Sequence, residues 1–325
     1  MLNGPALVVV GEALIDLVPV AGTDQFQARP GGSPFNVAVG LARLGNHTAL
    51  MARLADNAFG RLLRDHAAAE GIDLSSAPHA IEPTTLAVVS LDDQAQPSYD
   101  FYFEGTADWH WTATEIARLP CDTAVLHFGS LASWTAPGCA LLHDLAARTH
   151  ASGHVLVSYD PNVRPLVLGE PARARDLVER SVGVAHIVKA STEDIAWLYP
   201  GVGSAHVGAR WTGLGAEVVV ITDGPQGAVA YRADHDPVAC PGRAVELADT
   251  VGAGDAFTAG LLSALAQRGL QTPTRVARLS TAELSECLAE AVLVSSLTCE
   301  KAGADPPRAH RRSGTAPLTA ASFRS

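Results

Sequence analysis

Short apolar runs and longer amphipathic ones alternate along most of the chain. "ALVVVGEALI", "HTALMARL", "TAVLHFGS", "HVLVSYD", "VAHIVKA" and "AEVVVITDG" are nearly continuous in apolar residues, the pattern of strands buried on both faces. Between them, "PFNVAVGLARLG", "AFGRLLRDHAAAEG", "GCALLHDLAARTHASG" and "PARARDLVERSVG" place apolar residues at helical spacing. This alternation predicts an α/β fold of three layers, α/β/α, with a mostly parallel central sheet covered by helices on both faces. Ligands are then expected at the carboxyl ends of the strands.

Two segments break the pattern. Residues 12–30 ("EALIDLVPVAGTDQFQARP") and 84–103 ("TTLAVVSLDDQAQPSYDFYF") read as strand pairs joined by turns, with no helix between them. They predict a small β-sheet lid, drawn from about residues 12–30 and 84–108, projecting from the core. An edge extension of the main sheet is the alternative. From Pro306 onward, "PPRAHRRSGTAPLTAASFRS" gathers breakers and small polar residues, which predicts a single domain over 1–305 and a flexible tail over 306–325. The tail's Arg308, Arg311 and Arg312 are expected to be solvated charge.

Bulk composition then narrows the partners. At 325 residues, the chain fits one large α/β unit with a sizeable core. Its net charge of −11 removes any general attraction to phosphate backbones or anionic lipid, so neither nucleic acid nor membrane is an expected partner. Cys121, Cys139, Cys240, Cys287 and Cys299 show no Cys-x-x-Cys or Cys-His spacing, which speaks against a zinc site or a disulfide framework. Glu12 and Asp16 interrupt the first apolar run, which reads as a strand rather than a signal peptide. Together these features predict a reducing, cytoplasmic setting.

The candidate chemistry begins at "DTVGAGDAF" (249–257), a small-residue turn between two aspartates with a helical pattern running on behind it. A helix N-terminus presents unpaired N–H groups and the positive end of the peptide dipoles to an anion. Asp255 falls at the expected N-cap, where the structural reading is simply a cap. Two other nucleotide motifs fail on their residues. Phe257 stands where the dinucleotide fingerprint needs its third glycine, and neither lysine of the chain, Lys189 or Lys301, follows a glycine as a Walker A loop requires. What remains is an anion-cradling turn that carries its own carboxylate, a pairing suited to phosphoryl transfer. Upstream, "GGSPFNVAVGLARLG" (31–45) opens with two glycines, then Ser33 as expected N-cap, Pro34 at the first helical position and Gly45 past the end. A well-capped helix accounts for all of this except the doubled glycine and Asn36. Gly31 and Gly32 would let backbone touch a ligand, while Asn36 and Asp16 could bond sugar hydroxyls.

These two segments resemble the two signature segments of the ribokinase-like carbohydrate kinases, the phosphofructokinase-B type, in order and in separation. The resemblance covers roughly residues 6 to 305. "YDPNVRPLV" (159–167) and "LTCEKAGADPP" (297–307) are similar to its fructokinase and 2-keto-3-deoxygluconate kinase branch. The resemblance implies a ribokinase-like fold and makes Asp255 the catalytic base, with an anion hole of Gly252, Ala253 and Gly254. It implies that Asp16, Gly31, Gly32 and Asn36 hold the sugar, and it places nucleotide contacts at Lys189, Thr222, Gly224, Gly227, Gly252 and Gly254. Thr222 to Gly227 read equally well as an ordinary strand and turn. Arg164, in the pattern Asp160, Asn162, Arg164, could reach phosphate or substrate; the alternative is a salt bridge to Asp160.

The cofactors implied are ATP and Mg²⁺. The family's Asn-x-x-Glu metal segment falls at Ser191 to Asp194, so Asp194 or the competing Glu193 would act through water. A K⁺ site would involve Asp249, Val251 and the loop near 295–305. The stretch "YDFYFEGTADWHW" (99–111) lacks arginine and lysine, which favours a neutral sugar. Phe101, Phe103 and Trp109 could stack on it or belong to the core. Fructose is the expected substrate, ahead of 2-keto-3-deoxygluconate, a nucleoside, and a silent sugar-binding role on the same fold. An exposed lid edge leaves a homodimer open.

Overall fold

The computed structural model of the chain describes residues 4–91 and 97–309. In chain order the strands are β1 (Ala6–Val10), β2 (Leu14–Pro19), β3 (Phe26–Gly31), β4 (Thr48–Met51), β5 (Leu54–Ala55), β6 (His79–Ala80), β7 (Leu86–Leu91), β8 (Pro97–Tyr102), β9 (Thr123–Gly129), β10 (Leu156–Asp160), β11 (Ile187–Ser191), β12 (Val218–Thr222), β13 (Gly227–Tyr231) and β14 (Val238–Pro241). The helices are α1 (Ser33–Arg43), α2 (Ala58–Ala69), α3 (Ala113–Ile116), α4 (Cys139–Ala151), α5 (Pro165–Leu168), α6 (Pro171–Val182), α7 (Thr192–Leu198), α8 (Ser204–Gly213), α9 (Ala253–Gln267), α10 (Pro273–Val276) and α11 (Thr281–Cys299).

Eight strands form the main sheet in the order β14-β13-β12-β11-β10-β9-β1-β4. Every pairing from β4 to β12 is parallel, while β13 and β14 add as antiparallel neighbours. The switch follows from the connection. A four-residue turn, Asp223 to Gln226, is too short for a crossover, so β13 folds back on β12. Strand side chains alternate between two cores. Leu7, Val9, Val218 and Val220 pack under α1, α2, α9 and α11, whereas Val8, Val10, Val219 and Ile221 pack under α4, α6, α7 and α8. Each such fully buried side chain contributes about 1.5–3 kcal/mol, which is why the runs read as uninterrupted apolar sequence.

The hairpins β2–β3 and β7–β8 join through a parallel β2–β7 pairing into a separate sheet, β3-β2-β7-β8. They are not an extension of the main sheet, whose edges are β4 and β14.

The chain does not loosen at Pro306 as expected. Pro306 and Pro307 are buried, Arg43 Nη1 donates to the Pro306 carbonyl at 2.9 Å, and Arg308 donates to the Glu70 carboxylate at 2.9 Å. Arg308 is therefore ion-paired rather than merely solvated. Arg311, Arg312 and the rest of the predicted tail lie outside the described residues. Among the described residues no helix is long and apolar enough to cross a membrane.

Candidate active site

The turn before α9 bends at Gly252, whose φ of 75° is left-handed and where a Cβ would lie 2.5 Å from the Ala304 Cβ. Gly252 is the N-cap, so Asp255 is the third helical residue and not the cap the sequence suggests. Its carboxylate crosses to α1, where the Ser33 hydroxyl donates to Oδ1 at 2.6 Å and the Asn36 amide to Oδ2 at 2.9 Å. A one-residue shift in the same direction occurs on α1. Gly32, at φ 100°, takes the cap and Ser33 becomes the first helical residue, leaving its hydroxyl for Asp255. Ser33 was missed as a site residue, although a serine and an asparagine three apart on a helix share a face. Burial raises the Asp255 pKa, the bonds from Ser33 and Asn36 and the charge on Lys189 pull it down, and Asp160 raises it.

A cleft of about 440 Å³ opens on this side, lined by Glu12, Asp16, Gly32, Ser33, Asn36, Phe101, Ser130, Asn162, Arg164, Val251, Gly252 and Asp255. Burial and the neighbouring Asp255 charge push the Asp16 carboxyl up to about 6 against the pull of Arg164 and Arg29. Gly31 is not among the lining residues. A Cβ there would sit 2.1 Å from Asp16 Oδ2, so this glycine makes room for the carboxylate instead of meeting a ligand. Phe103 is not in the lining either: it packs edge-on against Trp109, and its carbonyl accepts from Trp109 Nε1 at 2.7 Å. Trp109 itself is core. Arg164 is exposed at the rim and donates to the Val163 carbonyl at 3.0 Å, whereas Asp160 is taken by the Asn162 amide and by Lys189. The alternative Asp160–Arg164 bridge is therefore not formed. Ser130 and Asn162 hold positive φ at the ends of β9 and β10 and are joined by a 3.1 Å bond from Asn162 Nδ2 to Ser130 Oγ. Strained backbone of this kind gathers at functional sites.

A second cleft, of about 380 Å³, lies on the other side of the turn. Thr222, Gly224, Gly227, Ala253 and Gly254 line it, with Phe257 of α9, Val292 and Cys299 of α11, and a loop wall of Arg243, Ala244, Val245 and Leu247 that has no periodic pattern in the sequence. Gly252 faces the first cleft and not this one. Lys189 is not in the lining. It is buried, with Nζ 2.9 Å from Asp160 Oδ2, and it lies beneath Gly254, where a Cβ would come within 2.9 Å of Nζ. Asp160 and Asp194 raise its pKa against burial, so it supplies a fixed positive charge below the turn. The Ala253 amide is drawn back to the Thr250 carbonyl at 3.2 Å. That leaves the Gly254 and Asp255 amides, which have no acceptor within the first helical turn, to meet an anion.

The residues proposed for metal do not make a cage. Asp194 Oδ1 accepts from the Val163 amide at 2.9 Å and Oδ2 from the Ser191 amide at 2.8 Å, closing a capping box at α7. Glu193 is exposed. Asp249 accepts from the Val251 and Gly303 amides at 3.0 and 2.8 Å, which ties the turn before α9 to the loop after α11. Among the described residues no three His, Cys, Asp or Glu side chains are grouped to hold a metal ion.

Two clefts sharing the N-terminus of one helix, in a three-layer α/β/α fold with a small separate sheet, define a group-transfer enzyme of the sugar kinase type. The profile of the pfkB family carbohydrate kinases matches residues 5–311, and the chain belongs to that family. A fructokinase of Rhizobium leguminosarum bv. trifolii is 36% identical over 274 residues, covering 83% of this chain and 82% of the relative. Fructokinase from Xylella fastidiosa with bound ATP is similar in structure at a TM-score of 0.83 and 25% identity, covering 92% of this chain and 93% of that one. Fructokinase from Vibrio cholerae O395 in its fructose, ADP and calcium ion bound form gives 0.79 at 28% identity, over 92% and 94%.

Proposed function

We propose that this chain transfers the γ-phosphoryl group of ATP to the primary hydroxyl of D-fructose, giving fructose 6-phosphate and ADP. The observation that carries the reading is that the polar and apolar clefts meet at one helix end, Gly252 and Asp255 facing the first, Ala253 and Gly254 the second. The fructokinase relative, and the fructokinase structures holding ATP or fructose with ADP, favour these substrates for such a pair of clefts.

In this mechanism Asp16 and Asn36 bind sugar hydroxyls and Asp255 accepts the proton of the reacting one. Each Asp255 oxygen keeps a lone pair beyond its bond to Ser33 or Asn36. The hydroxyl oxygen forms its bond to the γ-phosphorus as the bond to ADP breaks, and the Gly254 and Asp255 amides, with Lys189 beneath them, stabilise the charge on the transferring group. Thr222, Gly224 and Gly227 would lie along the phosphates. Mg²⁺ on the triphosphate would neutralise charge there, and Asp194 or Glu193 would meet it only through water. Asp249 would shape a K⁺-binding turn at Val251 through its two amide bonds. A cytoplasmic setting, and a homodimer through the β3 or β8 edge where Phe26 and Tyr102 are exposed, belong to the same proposal.

A keto-acid sugar is the second reading, favoured by Arg164 at the rim and by Arg29 on β3, whose charge also reaches Asp16. Turnover of ATP with fructose, ribose, 2-keto-3-deoxygluconate and adenosine separates the readings. Inertness toward all four sinks the kinase proposal, and turnover with the keto acid alone replaces fructose.

A further inference from the structure

Four chain crossings join the small sheet to the core. The chain enters β2 through Glu12 and Ala13, leaves β3 at Gly31, enters β7 through Thr85, and leaves β8 through Phe103 toward Asp108. Three of the four meet at the Asp108 carboxyl group, which is 1% exposed in the single helical turn Ala107–Trp109. The Ala13 amide donates to Asp108 Oδ1 at 2.9 Å, and Oδ2 lies 2.5 Å from Thr85 Oγ1. Thr85 Oγ1 is 2.5 Å from Thr106 Oγ1, which donates to the Phe103 carbonyl at 2.8 Å. The fourth crossing closes on the adjacent Glu12, since a Cβ at Gly32 would come 2.9 Å from the Glu12 carbonyl oxygen.

Counting hydrogens along this relay sets its direction. The Phe103 carbonyl can only accept, so the Thr106 hydroxyl commits its hydrogen there. Thr106 must then accept from Thr85, and Thr85, its one hydrogen used, must accept from Asp108. An ionised carboxylate has no hydrogen to give, and one of the three contacts would then oppose lone pairs at close range. We propose that Asp108 stands as the neutral carboxylic acid and is the positioning residue that locks the hinge of the small sheet over the sugar cleft.

The surroundings agree. Burial pushes Asp108 up to about 7, against the Ala13 bond and the charge on Arg53. Arg53 is turned toward Glu82, Glu115 and the Ala107 carbonyl. Glu12, also raised to about 7 by burial, accepts from the Ala132 amide and the Ser130 hydroxyl, and a charge on Asp108 raises it further, so the two buried carboxyls oppose each other's ionisation. The acid is therefore neutral below about 7 and ionises as the pH rises, with loss of the relay.

The link to sugar phosphorylation rests on the proposed kinase reading, but the hinge geometry does not. In Asp108→Asn, the side-chain oxygen can keep the Ala13 bond while the amide nitrogen donates to Thr85, so the neutral acid is mimicked. Hydrogen exchange of the Ala13 and Ile15 amides, corrected for intrinsic rates, should match wild type at pH 6 in Asp108→Asn. It should be about tenfold faster or more in Thr85→Val, which breaks the relay and leaves the acid in place. Raising the pH from about 6 to about 8.5 should speed exchange and raise the fructose KM in wild type more than in Asp108→Asn, since Asp16, Glu12 and Asp255 titrate in both and only wild type also loses the Asp108 relay. Asn exchanging as fast as the Thr85 variant, or a pH slope identical to wild type, overturns the neutral acid. If wild type phosphorylates no sugar, the function fails and the exchange result still decides the hinge.

Discussion

The two clefts that meet at α9 are built on different principles. The cleft on the Asp255 side is ringed by groups that titrate or donate, among them Asp16, Arg164, Asn36, Ser33 and Asp255. The cleft on the Gly254 side is walled by Ala244, Val245, Leu247, Phe257 and Val292, and among the described residues Arg243 is the one charged residue in its lining. Hydrogen bonds to a buried polar group discriminate strongly between ligands, because a missing partner leaves that group unsatisfied, whereas apolar contact area discriminates weakly. On the proposed reading, selection and proton transfer would then belong to the first cleft and general nucleotide affinity to the second, with the helix end between them common to both.

Removing the proton acceptor should have the largest effect. Asp255→Asn keeps the shape of the side chain but is expected to lower kcat by about 10²- to 10⁴-fold, with little change in either KM. Steady-state kinetics on the folded variant check this, and a loss under tenfold would mean that Asp255 only binds. The shared element comes next. In Gly254→Ala the added methyl group would stand 2.9 Å from Lys189 Nζ and in the path of the anion, so kcat should fall by about 10²-fold. If only the ATP KM moves, the turn is a binding feature and not part of the chemistry.

Asp16→Asn tests the polar cleft alone: the fructose KM should rise about tenfold while the ATP KM stays fixed. The pH dependence runs in two opposite directions. As the pH rises through about 6, and before Asp108 ionises, sugar affinity in wild type should climb on the proposed reading of Asp16 as a carboxylate that accepts two hydroxyls. Its folded pKa lies above the usual 3.8, so the stability linked to this group is present below that value and is lost as the pH rises through about 6. Asp16→Asn should remove both trends, with a higher melting temperature than wild type at neutral pH. A melting temperature that falls would show that the carboxylate is structurally required.

The sequence makes the architecture and the carboxylate at the helix start legible, because both depend on local patterns: valine-rich runs buried on two faces, and a glycine turn running into a helix that carries Asp255. It misplaces the start of α9 by three residues and that of α1 by one. Asp255 and Ser33 are both good capping residues, yet glycines at 252 and 32 take the caps by adopting positive φ, which frees the side chains to meet each other 222 positions apart. Lys189 reads as a nucleotide contact until β10 and β11 pair and bring Asp160 beside it, a non-local event. The wall at 242–247 is aperiodic loop, and Phe103 and Trp109 pack edge-on against each other, with the Phe103 carbonyl accepting from the Trp109 indole. Pro306 and Pro307 look like breakers and become a buried strap only through Arg43 and Glu70 on α1 and beside α2.

The smallest expected effect is the one that best isolates the apolar cleft. Leu247 is 64% exposed in the free protein, so Leu247→Ala forfeits little packing and should leave the melting temperature close to wild type. A nucleotide base seated against Ala244, Val245 and Val292 would cover that side chain, and its truncation then removes apolar area buried only in the complex. A loss of about 1 kcal/mol corresponds to a rise of about fivefold in the ATP KM. The fructose KM and kcat should not move, since no atom of Leu247 lines the polar cleft. Isothermal titration with ADP and steady-state kinetics read the two quantities separately. Equal shifts for sugar and nucleotide would mean that the two clefts communicate through the turn before α9, and the division of labour between them would have to be abandoned.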